Sequence, residues 1–335
     1  MRLEGAVMGL GNIGFGFNFD EKRKGVWTHV RAFEKSGMIS LTGAVDPSAD
    51  ARARFASRYP NVPVYDSAEA LFRNHKPDVV SICTPTSSHY PLAELAAGAG
   101  VRGLFCEKPL ASSAHDARAL CELCRERDIA LAVNHTRRWD WRYRRVADAV
   151  QSGFLGEVKY VVALYSGNIF NIGTHLVDTV QMITGQRFEM ASGFDVGGDP
   201  NPADPHISGI LPMSGGVLCH VSCHGVREAL IFEIDVVGTK GRVRITENGE
   251  KSEFFSLQES RRYSGYSELE KVRLPAVAAK PDRFVAAVKN LCRVMQKEGG
   301  PILCSGDDGY YAVAAVEAMH ESSASGGQYV AIPSL

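Results

Sequence analysis

The stretch that decides the fold is Gly9-Leu10-Gly11-Asn12-Ile13-Gly14, which follows a predicted strand at Leu3–Gly9. It matches G-x-G-x-x-G in the context that the dinucleotide-binding fingerprint requires, directly after a strand and at the start of a helix. The first glycine permits a tight turn, the second lets the backbone approach a pyrophosphate, and the third lets helix and strand pack closely. The sequence therefore predicts nucleotide binding at Gly9, Gly11, Asn12, Ile13 and Gly14; the alternative is a glycine-rich turn without a ligand.

The segments after this turn alternate strands with helices as far as residue 135. The predicted strands are Ser40–Asp46, Val62–Tyr65, Asp78–Cys83, Val101–Cys106 and Ile129–His135, and the predicted helices are His29–Ser36, Ala49–Arg58, Ala68–His75, His89–Ala97 and Ala114–Arg127. Repeated strand–helix units predict an α/β fold, a doubly wound parallel sheet with helices on both faces. We therefore assign residues 1–135 to a dinucleotide-binding Rossmann domain.

The pattern changes after residue 135, where strands begin to follow one another without helices between them. Helices are predicted at Trp141–Gln151, Thr174–Ile183, Asp282–Lys297 and Asp307–Ser322, and strands at Val158–Ser166, His206–Met213, Gly216–His224, Ala229–Gly238, Gly241–Glu247, Glu253–Glu259 and Tyr329–Ile332. Successive strands predict a large, mostly antiparallel open sheet. Residues 136–335 are therefore predicted to form an α+β domain, joined to the first without a flexible hinge.

Composition excludes several classes of protein. The chain has 335 residues, 37 of them basic and 38 acidic, so its formal net charge of −1 argues against a nucleic-acid partner. No apolar run approaches the roughly 18 residues that a membrane helix needs. The N-terminus lacks the apolar segment and cleavage site of a signal peptide. We therefore expect a cytoplasmic protein without a membrane or nucleic-acid partner.

The eight cysteines are predicted to be mostly reduced in such a protein. Cys121 and Cys124 form a C-x-x-C, but they lie in a helical pattern and are interpreted as core residues. The segment Cys219-His220-Val221-Ser222-Cys223-His224 resembles a metal site more closely. On a strand, however, its cysteines point to one face and its histidines to the other. We therefore predict no metal.

Asp46, at the end of the second predicted strand, is the candidate ribose-binding acid. It lies 32 positions after Gly14, whereas the fingerprint places this acid about 20 residues on. The aromatic, glycine-containing stretch Phe15–Trp27 lacks a helical apolar period, and removing its 13 residues leaves 19. A carboxylate here accepts bonds from ribose hydroxyls and repels a 2′-phosphate. The sequence therefore favours NAD, with NADP the alternative.

The stretch Phe15–Trp27 begins at the phosphate-binding turn, which places it beside the predicted cofactor cleft. One interpretation is that Phe15, Phe17, Phe19 or Trp27 covers the cofactor or shapes the substrate mouth. The alternative is an aromatic loop packed on the outer surface or against a partner subunit.

Two further strand ends carry recognisable residues. Cys83-Thr84-Pro85 ends the fourth strand and Cys106-Glu107-Lys108-Pro109 ends the fifth, at the carboxyl edge where open α/β sheets bind ligands. Together with the glycine turn and His89, these residues resemble the glucose–fructose oxidoreductase / inositol dehydrogenase (Gfo/Idh/MocA) family. Further matching stretches, Gly153–Val158, Val237–Gly241, Arg283–Val288 and Ser305–Gly309, extend the resemblance over nearly the whole chain.

The resemblance implies an NAD(P)-dependent oxidoreductase acting on a sugar, cyclitol or similar polyol. It also implies a homodimer or homotetramer formed through the second domain's sheet. The residues that match the family's cofactor contacts are Cys83, Thr84, Pro85, His89, Glu107 and Lys108. Lys108 is the predicted catalytic cation, because an ammonium at a strand's carboxyl end can stabilise a developing alkoxide.

The family's second catalytic motif matches Asn171-Ile172-Gly173-Thr174-His175-Leu176-Val177-Asp178. His175 matches the catalytic histidine, whose near-neutral pKa suits proton exchange with a hydroxyl. Asp178 matches a substrate-side carboxylate, and Asn168 and Arg138 are further predicted substrate contacts. Asn171 replaces the family's aspartate; it can bind a substrate hydroxyl, but it cannot serve as a proton acceptor in a Lys–Asp–His relay.

Two other functions are compatible with this fold. One is a hydrolase or lyase that uses a tightly bound NAD transiently, and the other is a non-catalytic NAD-binding regulator. Net accumulation of NADH would separate a dehydrogenase from the first. Lys108 and His175 argue against the second, because a sensor needs neither. Fold alone does not decide among the three.

Overall fold

The computed structural model describes residues 2–197, 201, 203–226, 228–276 and 278–335. The chain forms two compact units, the first made of Met1–Trp139 and Pro281–Tyr310 and the second of Asp140–Lys280 and Tyr311–Leu335. Within the described residues, no helix is both long enough and apolar enough to cross a membrane.

The first unit contains a six-stranded, all-parallel sheet. Its strands are β1 (Leu3–Met8), β2 (Ile39–Val45), β3 (Val64–Tyr65), β4 (Val79–Ile82), β5 (Gly103–Cys106) and β6 (Ala130–Val133). Their spatial order is β3-β2-β1-β4-β5-β6, with every adjacent pair parallel. Strands β4 and β5 are buried along their whole length, as expected for a sheet covered on both faces. The predicted doubly wound Rossmann sheet is confirmed.

Five helices connect these strands: α1 (His29–Ser36), α2 (Ala49–Arg58), α3 (Ala68–Asn74), α4 (His89–Gly98) and α5 (Ala114–Glu126). Four of them begin after a Ser or Thr whose side chain accepts a hydrogen bond from a backbone N–H of the first turn, namely Thr28, Ser48, Ser67 and Ser113. Such N-caps satisfy donors that a helix leaves open at its start. They explain why the predicted helix starts agree with the observed ones.

Helix α1 continues a turn that begins in the glycine motif. The N–H groups of His29 and Val30 donate to the carbonyls of Ile13 and Gly14, at 3.1 and 3.2 Å, sixteen positions back instead of the four of a regular helix. Twelve residues are therefore looped out of one helical path, one fewer than the sequence predicted. Removing twelve residues places Asp46 twenty positions after Gly14, which matches the fingerprint's usual spacing.

The four aromatic side chains of Phe15–Trp27 differ in burial: Phe15 is buried, Phe17 and Trp27 are half-buried, and Phe19 is exposed. Phe15 is 2 % exposed and packs against Phe55 of α2 and Tyr59, the residue that follows α2, with ring centroids 5.3 and 6.0 Å away. Phe19 is 61 % exposed and meets the edge of Phe15. Phe15 is therefore part of the core between the loop and α2.

The second domain was predicted to hold all of residues 136–335, whereas Pro281–Tyr310 groups with the first unit. Helix α8 (Arg283–Met295) packs on α1, β5 and β6. Its buried Phe284 faces Phe105 of β5 and His29 of α1, with centroids 6.5 and 5.4 Å away. The sequence revealed the helix, but a helix's apolar face does not say which sheet it covers.

The second unit contains a nine-stranded, mostly antiparallel sheet. Its strands are β7 (Val158–Tyr165), β8 (Met190–Asp195), β9 (Ile207–Pro212), β10 (Leu218–Cys223), β11 (Phe232–Gly238), β12 (Gly241–Thr246), β13 (Lys251–Glu259), β14 (Ser267–Val272) and β15 (Val330–Ala331). Their order is β14-β13-β12-β11-β7-β10-β9-β8-β15, and only the β7–β10 pair is parallel among these neighbours. Helices α6 (Trp141–Gln151) and α7 (Thr174–Thr184) pack on each other, and α9 spans Gly306–Ala324. The predicted sheet class is confirmed.

Two of these strands were not predicted. Strand β8 contains Gly193, where a Cβ atom would lie 2.2 Å from the Met319 carbonyl oxygen, so close packing requires glycine in place of a strand-forming residue. Strand β14 lies at the sheet edge and is largely exposed, with charged residues such as Lys271, which bonds Glu253 across the pair at 2.6 Å. Charged edge strands are common because they discourage further pairing, and they carry little apolar signal.

Candidate active site

The glycine turn has the geometry of a phosphate-binding loop. Gly9 has φ of +94°, and a Cβ atom there would lie 2.7 Å from the backbone of Cys83. A Cβ atom on Gly14 would lie 2.0 Å from the Gly9 carbonyl oxygen, so only glycine permits this helix–strand contact. At Gly11, by contrast, a Cβ atom would have no neighbour within 4 Å. The space above Gly11 is where a pyrophosphate could approach the backbone, so these residues fit a dinucleotide.

The Gly11→Ala and Gly14→Ala variants should therefore fail in different ways. We expect Gly14→Ala to lower the free energy of unfolding by about 1–3 kcal/mol, because backbone must shift to admit the methyl group. We expect Gly11→Ala to change it by less than about 0.5 kcal/mol and to weaken NAD binding by about tenfold or more. Urea unfolding and a fluorescence titration with NAD measure the two effects. Unchanged NAD affinity in Gly11→Ala would contradict this placement of the pyrophosphate.

Asp46 lies half-buried beside the glycine turn. Its two carboxylate oxygens accept hydrogen bonds from Leu10 N–H at 2.7 Å and Ser48 N–H at 2.8 Å. These bonds tie the end of β2 to the turn and leave lone pairs on both oxygens. Arg52, one helical turn into α2, donates to the carbonyls of Asp46 and Pro47 at 2.9 and 2.8 Å. It was not predicted from the sequence because it belongs to no motif.

Lys108 follows β5 at the carboxyl edge of the sheet, half-buried, and its peptide bond to Pro109 is cis. The chain after Lys108 is held at Pro109 by His89, the first residue of α4. Its ring nitrogens lie 3.0 Å from Pro109 O and 3.0 Å from Thr84 O, and its side chain is almost fully buried. His89, predicted to contact the cofactor, thus connects the ends of β4 and β5.

Glu107, also predicted at the cofactor, is buried within the first unit. Its Oε1 lies 2.8 Å from His29 Nε2 and accepts a hydrogen bond from the Asn134 side-chain amide. Burial by itself would raise the pKa of Glu107, but hydrogen bonds from His29 and Asn134, with the charge of Lys108, bring it below its usual value. The carboxylate is therefore an ionised group within the core.

Arg138 and His135, which follow β6, are also buried. The Arg138 guanidinium lies 3.1 Å from a carboxylate oxygen of Asp308 and donates to Leu303 O at 3.3 Å. This ion pair engages the Arg138 guanidinium, for which a substrate contact was predicted. Burial, with the nearby cations Arg138 and Lys108, lowers the pKa of His135 to about 3, so the His135 ring is neutral at physiological pH.

His175 lies in the second unit, at the second residue of α7. A π-helical turn, Ile169–Gly173, directly precedes α7, and such turns are frequent at functional sites. His175 is half-buried, and Asp178, one turn later, is fully buried. Asn171 lies inside the π-turn and is half-buried. Asn168 is buried, and its side-chain amide donates to Asp204 O, so it fixes the entry to this turn.

The cysteine and histidine residues of β10, and His224, which follows it, differ in burial. Cys219 is fully buried, and its thiol has a pKa raised by burial, whereas His220 and His224 are exposed. Across the described parts of the chain, no group of three or more His, Cys, Asp or Glu side chains could hold a metal. Cys121 and Cys124 are buried on α5, and burial raises the pKa of each to about 12. Both are core residues, as predicted.

A parallel sheet of order β3-β2-β1-β4-β5-β6, with a glycine turn after β1, defines the class of Rossmann dinucleotide-binding proteins. The chain belongs to the Gfo/Idh/MocA oxidoreductase family. Residues 5–135 match the family's NAD-binding Rossmann fold, and residues 148–332 match its C-terminal alpha/beta domain. The resemblance predicted from the motifs is thus confirmed, and the first unit is an NAD-binding Rossmann fold.

Several characterised proteins are similar to this chain. It is 27 % identical to D-glucoside 3-dehydrogenase of Escherichia coli over 166 residues, 44 % of this chain and 47 % of that protein. It is 26 % identical to D-apiose dehydrogenase of Rhizobium rhizogenes over 294 residues, 78 % of this chain and 81 % of that protein. The match to D-glucoside 3-dehydrogenase thus spans about half the length of that protein. An Agrobacterium radiobacter oxidoreductase, solved with NAD+, L-tartaric acid and magnesium, has a TM-score of 0.79 at 23 % identity, with 99 % of both chains covered.

Proposed function

We propose that this protein is an NAD-dependent oxidoreductase that interconverts a hydroxyl and a keto carbon of a sugar, cyclitol or related polyol. The observation that carries the proposal is the placement of Lys108 at the carboxyl end of β5, in the sheet whose first strand ends in the open glycine turn. Both features lie at the edge where such sheets bind ligands. The nicotinamide, when bound, would supply or accept the hydride.

Lys108 would donate a hydrogen bond to the reacting oxygen and stabilise the alkoxide character that develops there. The backbone that follows Lys108 is held in place, because the ring of the buried His89 lies within hydrogen-bond distance of the carbonyls of Pro109 and Leu110. His175 would exchange a proton with a substrate hydroxyl. Asn171 can orient a hydroxyl by hydrogen bonding, but it carries no carboxylate that could accept the proton.

Asp46 supports NAD over NADP, because its carboxylate would accept ribose hydroxyls and repel a 2′-phosphate. We expect Asp46→Asn to weaken NAD binding by about tenfold and to raise NADP affinity relative to NAD. The matched control is Asp50→Asn, an exposed carboxylate in the first turn of α2. Titrations of both variants with both nucleotides test this. Tighter binding of NADP than NAD by the unaltered protein would contradict the role of Asp46 and would point instead to Arg52.

The substrate class is tested by a screen of NAD-linked oxidation across cyclitols, aldoses, sugar acids and nucleotide sugars. The names of the relatives, a D-apiose and a D-glucoside dehydrogenase, support starting with neutral polyols. Net NADH should accumulate with at least one class. Product released without net NADH would favour the hydrolase or lyase. NAD binding without turnover of any substrate would favour the regulator.

We also propose a homodimer or homotetramer formed through the open face of the second unit's sheet. Tyr160, Leu164 and Leu218 are exposed on neighbouring strands β7 and β10, where Leu218 pairs with Tyr160. Adjacent exposed apolar side chains of this kind typically mark an interaction surface. Sedimentation of the Leu164→Glu variant beside the unaltered protein tests the assignment, and an unchanged mass would contradict it.

A further inference from the structure

Beneath Lys108 lies a cluster of four buried polar side chains that the proposed chemistry does not use. They come from four elements: Ser81 in β4, His29 at the start of α1, Glu107 after β5 and Asn134 after β6. His29 Nδ1 lies 2.8 Å from Ser81 Oγ and its Nε2 lies 2.8 Å from Glu107 Oε1. Buried polar clusters of this kind persist when their members satisfy one another.

The hydrogen bonds of the cluster converge on Glu107. An ionised carboxylate only accepts, so His29 must carry a proton on Nε2 and donate it to Oε1. The Asn134 amide donates to the same oxygen, and the backbone N–H of Lys108 donates to Oε2 at 3.2 Å. These three donors stabilise the charged form of Glu107 and tie it to the backbone of the next residue.

We propose that His29 and Glu107 are positioning residues for Lys108: Glu107 supplies a fixed negative charge that keeps the Lys108 side chain protonated, and His29 holds that charge in place. The proposal rests on the proposed function only for its catalytic consequence, because the effect on Lys108 protonation does not require turnover. His29 is also the residue at which α1 begins after the looped-out segment. The centroid of its ring lies 4.6 Å from that of Phe105 in β5.

The other titratable groups that face Glu107 do not supply this charge. The His135 ring is neutral because burial lowers its pKa to about 3. Burial raises the pKa of the Cys83 and Cys106 thiols well above their usual value, so both are neutral as well. The Asp308 carboxylate also lies near His135, but it is paired with the Arg138 guanidinium at 3.1 Å. Glu107 is therefore the ionised acid that acts on Lys108, and the charge of Lys108 in turn lowers the pKa of Glu107.

The test measures the protonation of Lys108 without turnover. The protein is treated with acetic anhydride over a pH series, and acetylation of each lysine is followed by mass spectrometry. We expect the midpoint of Lys108 labelling to fall by about one pH unit in Glu107→Gln. His29→Leu should lower the Lys108 midpoint similarly, because Glu107 loses a hydrogen-bond donor. His29→Gln can still donate, so its Lys108 midpoint should stay close to that of the unaltered protein. Lys76, exposed in the same unit, is the internal control, and His115→Gln is the matched surface variant.

An unchanged Lys108 midpoint in both Glu107→Gln and His29→Leu would overturn the proposal. Equal midpoints in His29→Leu and His29→Gln would overturn the role of His29. If Glu107→Gln does not fold, the two His29 variants still decide. Turnover of Lys108→Ala is measured in parallel: full activity there would contradict the proposed function, while the labelling shifts would still report on the cluster.

Discussion

Replacing Lys108 with alanine should lower kcat for polyol oxidation by about 10²–10⁴-fold, while NAD affinity changes little. The physical reason is that removal of a donor aimed at a developing oxyanion typically costs that much in rate. The glycine turn and Asp46, which would hold the nucleotide, end other strands of the same sheet and are not altered. Steady-state kinetics with the best substrate of the screen, together with an NAD titration, measure the two effects.

The control for this variant is Lys76→Ala, an exposed lysine in the first unit that ends no strand of the sheet. It should leave both kcat and NAD affinity unchanged. Lys108→Arg is also informative, because it keeps the charge and changes the geometry of the donor. A Lys108→Ala variant with the kcat of the unaltered protein would contradict the assignment of Lys108.

Replacing His175 with asparagine should lower kcat by about 10²–10³-fold and remove the near-neutral limb of the pH–rate profile. A side chain that exchanges a proton contributes this much to the rate, and only a titrating group produces such a limb. Asn171 cannot take over the proton, because an amide has no pKa in this range. The profile of kcat/KM against pH is the measurement, since it reports the essential groups of the free enzyme.

His224→Gln is the matched control for His175, since His224 is an exposed histidine of the same unit. Its pH profile should coincide with that of the unaltered protein. If His175→Asn retained the near-neutral limb, the titrating group would be another residue, and the proposed proton exchange at His175 would be wrong.

The first unit could be predicted from the sequence because its signals are local. Glycines at fixed spacing, Ser and Thr caps and short apolar strands each report their own structure, and even the loop before Thr28 was recognised by its broken helical period. Strand β8 was missed because Gly193 is required by the Met319 carbonyl, a contact distant in sequence. The placement of α8 was missed for the same reason, since Phe284 meets Phe105 only in the folded chain.

In the candidate site, too, residues that belong to local motifs could be predicted and their distant partners could not. Gly11, Gly14, Asp46 and Lys108 were identified from motifs, and the structure places them at the ends of parallel strands or beside them. The residues that hydrogen-bond to Asp46 and Glu107 were not predicted: Arg52 donates to Asp46, and His29 and Asn134 contact Glu107. Each partner comes from a different element, so no spacing in the sequence announces it.

The most direct test of the central claim is hydride transfer itself. The best substrate of the screen is prepared with deuterium on the reacting carbon and incubated with NAD, and the label in the NADH formed is measured by mass spectrometry. We predict one deuterium in the NADH for each keto product, and a rate of transfer at least about 100-fold lower in Lys108→Ala. Product formed without labelled NADH, or transfer at an unchanged rate in the variant, would contradict the account.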